Sequence, residues 1–294
     1  MSTAISSNGH IGFRQEESFA SGGVITDYQS IISEDISMAK NYFYADRIMG
    51  TSEQVGAPIS NVGAAGSITF PVTPENSEVW WKCGIGGTVS PFKPARPLKS
   101  MVLEIDRDTG DILTSGDMIG SLAFSSSSGA MLQCVASMEC KGFQDTTAGS
   151  PSYTSGDNPY MHSELSLEID DVAVDTVTDI SFTIENNLIT DLYATGKERR
   201  DIPATKCNVT GSMTLIFEST TQRNKFLAES DVKIQATYSR GSRSIAFLLP
   251  KVKYNTDSQP LSGQNEYIAE TIEFTSYIEY PATDYSISVT TVLT

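Results

Sequence analysis

The sequence repeats a short pattern at an interval close to half of its length. Residues Gly66–Phe70 read Gly-Ser-Ile-Thr-Phe, and residues Gly211–Leu215 read Gly-Ser-Met-Thr-Leu, 145 positions later. A proline stands eight residues before each pattern, and Asp35–Met38 returns as Asp179–Phe182 at an interval of 144. Chance similarity of short strings is the alternative, but the same order of predicted elements surrounds both patterns. We therefore interpret the chain as two diverged copies of one unit.

This interval also predicts the domain organisation. A chain of 294 residues is long enough for two ordinary domains, each with its own core. The first unit is expected at residues 1–147 and the second at 148–294. The segment from about 142 to 162 is rich in Gly, Ser, Thr and Pro, which is typical of a linker, so it is predicted to connect the two units.

Alternation of polar and apolar residues predicts that both units consist mainly of β-strands. In Met101–Asp106 every second side chain is apolar, whereas Glu104 and Asp106 lie on the opposite face. A period of two is typical of a strand with one buried face. The same period recurs in three further runs, at residues 131–140, 165–169 and 268–279.

Each unit contains one short predicted helix. Thr73 followed by Pro74 favours a helix start, because threonine caps helices and proline suits the first helical position. Val79, Trp80 and Cys83 then form an apolar stripe, and a glycine follows it. The second helix is predicted to begin near Ser219 or Thr220 and to carry Phe226 and Leu227.

Charge and composition exclude several classes of protein. The formal net charge of −16 disfavours nucleic-acid binding through a basic surface, because acidic proteins repel phosphates. No run approaches the roughly 18 apolar residues of a membrane span, and the N-terminal residues lack a secretory pattern, so we expect a soluble protein. The four cysteines show no CxxC spacing and are expected to be free thiols.

Motifs for catalysis or cofactor binding are not evident. The two histidines, His10 and His162, are too few for a typical histidine-rich metal centre, and neither a nucleophile elbow nor a phosphate-binding loop occurs. The run 106–111 has its glycine at the fifth position, where a calcium loop needs it at the sixth, so a hairpin turn is favoured. We therefore expect no catalysis, no cofactor and no metal.

Several ordered motifs resemble the major tail tube proteins of bacteriophages. In the first half, Gly50–Glu53 is followed by Gly66–Glu75, which combines the glycine-serine strand with the Thr-Pro-Glu motif. In the second half, the corresponding motifs are Ile184–Leu188 and Arg199–Thr214, and the ending contains Leu248–Val252 and then a strand at residues 268–280. The resemblance covers roughly residues 30–290.

The resemblance implies a mainly β fold of two tandem β-sandwich units, each with a short flanking helix. Part of each sheet would join those of neighbouring subunits in a continuous β-barrel around a channel, and stacked rings would form the virion tail tube. Single-domain members form hexameric rings. A fused pair could complete such a ring as a trimer, with six chains per ring as the alternative. A closing interface makes a ring, and stacked rings make a tube.

Further expectations about partners follow from the family. DNA would pass through the lumen without specific binding, and the expected protein partners are a tape-measure protein, a tail terminator and tail-tip proteins. No membrane partner is expected, and assembly is expected in the host cytoplasm. The fused architecture favours a long non-contractile, siphovirus-like tail, and a tube inside a contractile sheath is the alternative.

Acidic residues on polar strand faces are the candidates for the channel wall, because negative charge would repel DNA phosphates. Ordinary exposure to outer solvent is the alternative for each of them. The loops at 45–62 and 190–206, together with the N-terminal segment, are candidates for ring stacking, in which Arg199 and Arg200 could pair with acids of the next ring. The candidate lumen-facing acids are Glu104, Asp106, Glu139, Glu164, Glu168, Glu273 and Glu279.

The main competing hypothesis is a β-sandwich module that binds a carbohydrate or a cell surface. Such a module would expose aromatic side chains on one face, and the sequence offers only Tyr153 and Tyr160 in loop-like segments. The other tyrosines and phenylalanines are mostly spread over alternating strand positions, which favours a core role. A hydrolase with dispersed carboxylates is a third hypothesis.

Overall fold

The computed structural model describes residues 4–50, 53–54, 56–75, 78–153, 158–261, 263–264, 266–279 and 284–292. Strands dominate these residues, and all strand pairs are antiparallel, so the predicted mainly β fold is confirmed. Alternating Val, Ile, Phe and Thr residues build the strands because their side chains pack well on a pleated surface.

The elements have the following bounds. In chain order the strands are β1 (His10–Gln15), β2 (Asp27–Gln29), β3 (Ser33–Glu34), β4 (Ser37–Tyr42), β5 (Ile59–Pro71), β6 (Met101–Asp106), β7 (Asp111–Ser115), β8 (Met118–Ser127), β9 (Gln133–Cys140), β10 (Gly142–Thr146), β11 (Leu165–Ile169), β12 (Val172–Val174), β13 (Val177–Glu185), β14 (Asn208–Ile216), β15 (Val232–Arg240), β16 (Arg243–Ser258), β17 (Ala269–Ser276) and β18 (Ser288–Val292). The helices are α1 (Val79–Gly84) and α2 (Thr221–Leu227), and 3-10 turns occupy Ser6–Asn8 and His162–Glu164.

Two sheets contain all of these strands. The smaller sheet has the order β10-β7-β6-β1-β2. The larger has the order β12-β11-β15-β16-β17-β14-β13-β8-β9-β5-β3, with β4 also paired to β5 and β18 also paired to β16. The larger sheet therefore runs through both halves of the chain, and the pair β8–β13 joins them.

The pairing order of the first half recurs in the second. In the first half β4, β5, β9 and β8 are successive neighbours, and in the second half β13, β14, β17 and β16 are. The remaining strands follow the same rule, with β2-β1-β6-β7-β10 matched by β12-β11-β15-β16-β18. A register shift after Ile119 in β8 is matched by one after Tyr254 in β16. The long strand β16 thus takes the places of both β7 and β8.

One hydrophobic core spans both halves. Phe124 of β8 stacks on Phe182 of β13 with ring centroids 5.0 Å apart, and Phe247 of β16 lies 4.8 Å from Phe124. The segment predicted as a linker begins with β10, and its Tyr160 is fully buried. The two halves therefore share a core across the segment that connects them.

The helices differ from prediction mainly at the start of α1. Thr73 is buried, Pro74 and Glu75 form a turn, and α1 begins only at Val79; the predicted start at Thr73 is wrong. The tryptophans and Cys83 are buried as the apolar stripe predicted. Helix α2 lies where the sequence placed it, with Phe226 half-buried against the core.

Two strand faces also differ from prediction. The polar face predicted for 101–106 is wrong at Glu104, because β6 is covered on both sides and Glu104 is buried. Near the C-terminus, β17 ends at Ser276, so Ile278 lies beyond the strand and is exposed.

Candidate assembly site

The larger sheet has an unpaired strand edge in each half of the chain. Strand β4 pairs with β5 on one side, and all six of its side chains are exposed. In the second half, residues 253–258 of β16 pair with β17, whereas β15 pairs only as far as Val252. No strand within the described ranges covers either outer edge. An unpaired edge presents backbone N–H and C=O groups that can bind another strand.

The contact between β8 and β13 shows how two such edges fit together. Strand β8 occupies the place that β16 has in the second half, and β13 the place that β4 has in the first. Seven consecutive residue pairs join them, from Ser121 opposite Glu185 to Ser127 opposite Asp179. We call this pairing the internal seam.

One face of the larger sheet carries mainly hydroxyl groups. Alternate residues of β8, β9, β13, β14 and β17 are buried in the core, so their neighbours point to the opposite side, which we call the open face. Nearly all of these neighbours are small or polar. The serines and threonines of the open face are Ser121, Ser125, Ser127, Ser137, Ser181, Thr183, Thr210, Ser212, Thr214, Thr271 and Thr275.

A pair of acids lies beside the unpaired edge of β16. Glu270 of β17 is only 2% exposed, and Gln259 donates hydrogen bonds to Glu270 (2.8 Å) and to both carboxylate oxygens of Asp257 (3.0 Å). Burial and the nearby Asp257 carboxylate raise the pKa of Glu270 to about 7. This carboxyl group is therefore partly protonated near neutral pH.

Comparison with known protein families identifies the family. The sequence model of the family described as "Phage tail tube protein" matches residues 6–276. The chain belongs to this family. No curated protein matches the sequence.

Membership assigns the phage tail tube protein to a structural family of the virion tail, whose members assemble into a multi-subunit tube with other tail proteins. Among the described residues, no helix is long and apolar enough to cross a membrane. Nor do the described residues contain a group of three or more His, Cys, Asp and Glu side chains placed to hold a metal ion.

Two of the seven predicted lumen-facing acids lie on the open face of the tail tube protein. Glu273 is exposed in the middle of β17. Glu139 of β9 forms an ion pair with Arg199, with 2.9 Å between Oε2 and Nη2. Asp179 and Glu185 of β13 also lie on this face, and the sequence-based prediction missed them although they alternate with buried Ile180 and Ile184.

Two other predicted acids belong to the smaller sheet. The backbone N–H of Gly149 donates a hydrogen bond to Glu104 (2.9 Å), and Asp106 lies 2.9 Å from the Nδ1 atom of His10. Both side chains are therefore engaged within the chain, away from the open face.

The remaining three predicted acids are scattered. Arg240 binds Glu164 at 2.7 Å and holds the pKa of this carboxyl group below its usual value. Glu168 is on β11, in the part of the second half that matches the smaller sheet. Glu279 follows β17 and pairs with Lys251 at 2.6 Å. The structure does not bring these residues together with Glu139 and Glu273.

The predicted stacking arginines have different surroundings. Residues 187–207, which we call the second arm, fold back on the first half: Arg199 donates to the carbonyl oxygen of Cys140 (2.9 Å), and Val62 donates to the carbonyl of Lys197 (2.9 Å). Arg199 is thus engaged within its own chain. Arg200 is exposed. Part of the predicted loop 45–62, namely residues 51, 52 and 55, lies outside the described residues.

The exposed aromatic residues are not those that the sequence suggested. Tyr153 is half exposed, but Tyr160 is buried in the core, so the aromatic pair expected for carbohydrate binding is not available. Exposed aromatic side chains occur instead at Tyr42, the last residue of the unpaired strand β4, and at Phe43 and Tyr44 directly after it. Their sequence pattern does not differ from that of a buried strand, so nothing in the sequence marked them as exposed.

Proposed function

We propose that this tail tube protein assembles by pairing residues 253–258 of β16 in one copy with β4 of the next, which closes a β-barrel with the open face inward. The internal seam is the observation that supports this proposal. Within the chain it already pairs β8 with β13, the strands that are equivalent to β16 and β4. Repeating the same contact between chains pairs both of the unpaired edges at β4 and β16.

The register of the internal seam specifies the register between chains. The shared register shift after Ile119 and after Tyr254 makes Thr256 equivalent to Ser121. Pairing of β13 with β14 and of β4 with β5 makes Ala39 equivalent to Glu185, two residues beyond the position given by the sequence match of Asp35–Met38 with Asp179–Phe182, which the register corrects. Since Ser121 lies opposite Glu185, Thr256 is expected to lie opposite Ala39 of the next chain.

Strand spacing favours three chains per ring over six. Eight strands of each chain, β4, β5, β9, β8, β13, β14, β17 and β16, lie along the wall in this arrangement. Three chains contribute about 24 strands, and a spacing of about 4.8 Å between strands gives a barrel with a diameter of about 37 Å if strand tilt is neglected. Six chains would double this diameter. The smaller barrel is wide enough for a DNA duplex after side chains are counted.

The chemistry of the open face suits passage of DNA. Hydroxyl groups form only weak, neutral contacts with phosphates, and the carboxylates of Asp179, Glu185 and Glu273 repel them. The charge of Glu139 is balanced by Arg199. Lys251 and Lys253 of β16 flank buried Val252 and point to this side as well, but each pairs with an acid of its own chain at 2.6 Å, Lys251 with Glu279 and Lys253 with Asp231. We infer a lumen that DNA crosses without specific binding, in a non-contractile tail assembled in the host cytoplasm with tape-measure, terminator and tail-tip proteins.

Cysteine cross-linking tests this arrangement. Paired strand positions lie within the Cα separation that a disulfide needs, so the double variant Ala39→Cys/Thr256→Cys should form interchain disulfides in assembled tubes. Complete cross-linking should yield covalent rings of three chains. Met38→Cys/Thr256→Cys is the matched control, because a shift of one residue points the two side chains to opposite faces. Tubes without the first cross-link, or with equal cross-linking in both variants, would contradict the proposed register.

A further inference from the structure

A strip of apolar side chains begins at the last residue of the unpaired strand β4 and continues beyond it. Residues 42–49, which we call the first arm, expose Tyr42, Phe43, Tyr44, Ile48 and Met49. Soluble proteins rarely leave such a group of large apolar side chains together in water, and contiguous apolar patches mark interaction sites. The first arm is continuous with the edge at which another chain is proposed to pair.

The structure contains a docked counterpart of this segment. Strand β13 is equivalent to β4, and the residues after β13 pack on the corner between α1 and β8. There the Nδ2 atom of Asn186 donates to the carbonyl oxygens of Gly84 (2.8 Å) and Ile119 (2.9 Å). Leu188 packs against a small apolar cluster that includes Met118 and Ile202. The second arm then continues across the first half of its own chain.

The equivalent corner in the second half lies between α2 and β16 and forms an open groove. Its volume is about 570 Å³, and Phe226, Leu227, Glu229 and Tyr254 are among the residues that line it. The repeat interval of 145 makes Glu229 equivalent to Gly84. The shared register shift makes Tyr254 equivalent to Ile119. The groove is therefore lined by the counterparts of the two residues that Asn186 bridges in the first half.

Charge also matches between the first arm and the groove. By strand register, Lys40 of β4 is the counterpart of Asn186. The two lysines of the groove already pair with acids of their own chain, Lys225 with Asp170 and Lys253 with Asp231, both at 2.6 Å. The Nζ atom of Lys253 donates to the backbone carbonyl of Glu229, but among the described residues the Glu229 carboxylate forms no ion pair, so it can accept a lysine from outside.

We propose that the first arm of one chain packs into the α2–β16 groove of a second copy, as the second arm packs on the first half of its own chain. Lys40 then lies beside Glu229 of the second copy, and Tyr42, Phe43 and Tyr44 cover Phe226 and Leu227. This inference rests on the proposed edge pairing and adds to it a side-chain contact that fixes the order and spacing of the chains.

Substitutions in the first arm test this contact. Phe43→Ser/Tyr44→Ser should raise the protein concentration needed for tube formation at least tenfold, while the monomer keeps its melting temperature because both side chains are exposed. Tyr153→Ser is the matched control, because Tyr153 is 50% exposed and Tyr44 is 51% exposed. The control should assemble like the unmodified chain.

Charge reversal supplies a second, independent test. Lys40→Glu and Glu229→Lys should each weaken assembly, and the double variant Lys40→Glu/Glu229→Lys should recover at least part of the loss. No recovery, or assembly of the Phe43→Ser/Tyr44→Ser variant at the unmodified concentration, would overturn the contact while leaving edge pairing intact. Absence of any interchain disulfide in the Ala39→Cys/Thr256→Cys variant would instead count against the proposed function itself.

Discussion

The α-carbon of Gly66 lies directly against the backbone of Ile36. A Cβ atom at Gly66 would stand 2.5 Å from the Ile36 Cα and 2.8 Å from the carbonyl oxygen of Asp35, closer than such atoms can approach. Gly211, its counterpart in the repeat, is enclosed in the same way by the Phe274 ring and the carbonyl oxygen of Ser181. Close approach of neighbouring atoms, and not an unusual φ angle, thus explains why both repeats place a glycine here; these atoms are backbone at Gly66 and mainly the Phe274 ring at Gly211.

Gly66→Ala is therefore expected to destabilise the fold by about 1–3 kcal/mol, because the backbone of residues 35–36 must move away. Gly110→Ala is the control, since a Cβ there would meet nothing within 4 Å. Urea unfolding of both variants measures the difference. Equal stability of Gly66→Ala and Gly110→Ala would contradict the close approach.

Because the Asp117 carboxyl group is buried, we expect the stability of the fold to decline with rising pH. It is fully buried, Thr114 donates to it at 2.5 Å, and burial raises its pKa to about 7. The unfolded chain loses this proton near pH 4 but the folded chain keeps it, so the free energy of unfolding falls between about pH 4 and pH 7, on the order of 2–4 kcal/mol. Asp117→Asn should flatten this decline. An unchanged pH profile of the urea midpoint would refute the assignment.

Asn186 is expected to be the most sensitive residue beside the internal seam. It is completely buried, and besides its two donated hydrogen bonds it accepts one from Arg96 at 2.9 Å. Asn186→Ala leaves the carbonyls of Gly84 and Ile119 without this partner, at a cost of about 2–4 kcal/mol. Asn224→Ala on exposed α2 should cost far less. Thermal unfolding of the two variants compares them directly.

Charge on the open face should control DNA passage but not folding. Asp179→Lys/Glu273→Lys places two cations on the proposed channel wall, where they attract phosphates, so DNA release from virions should slow and depend more steeply on salt. Glu168→Lys/Glu218→Lys makes the same change of net charge away from that face. Identical release kinetics in both double variants would show that this face does not line the channel.

The repeat and the strand periodicity were visible in the sequence because each depends on residues close together in the chain. The sequence did not show which strand faces are covered by other strands and which remain open. Glu104 and Glu273 occupy equally polar positions in alternating strands, but long-range pairing covers β6 on both sides and leaves β17 open on one. Tyr42 and Phe43 resemble core residues, because a sequence pattern does not distinguish an apolar side chain covered by its own chain from one that a second chain would cover.

Cryo-electron microscopy of the concentrated protein, with light scattering for the mass of the smallest ring, tests the central claim most directly. The account predicts hollow tubes whose rings contain three chains, hence a smallest ring of roughly 95 kDa from a chain of 31.8 kDa. Density should show β16 of each chain continuing into β4 of the next as it does across the internal seam. Rings of six chains, or tubes in which β4 remains an unpaired edge, would contradict it.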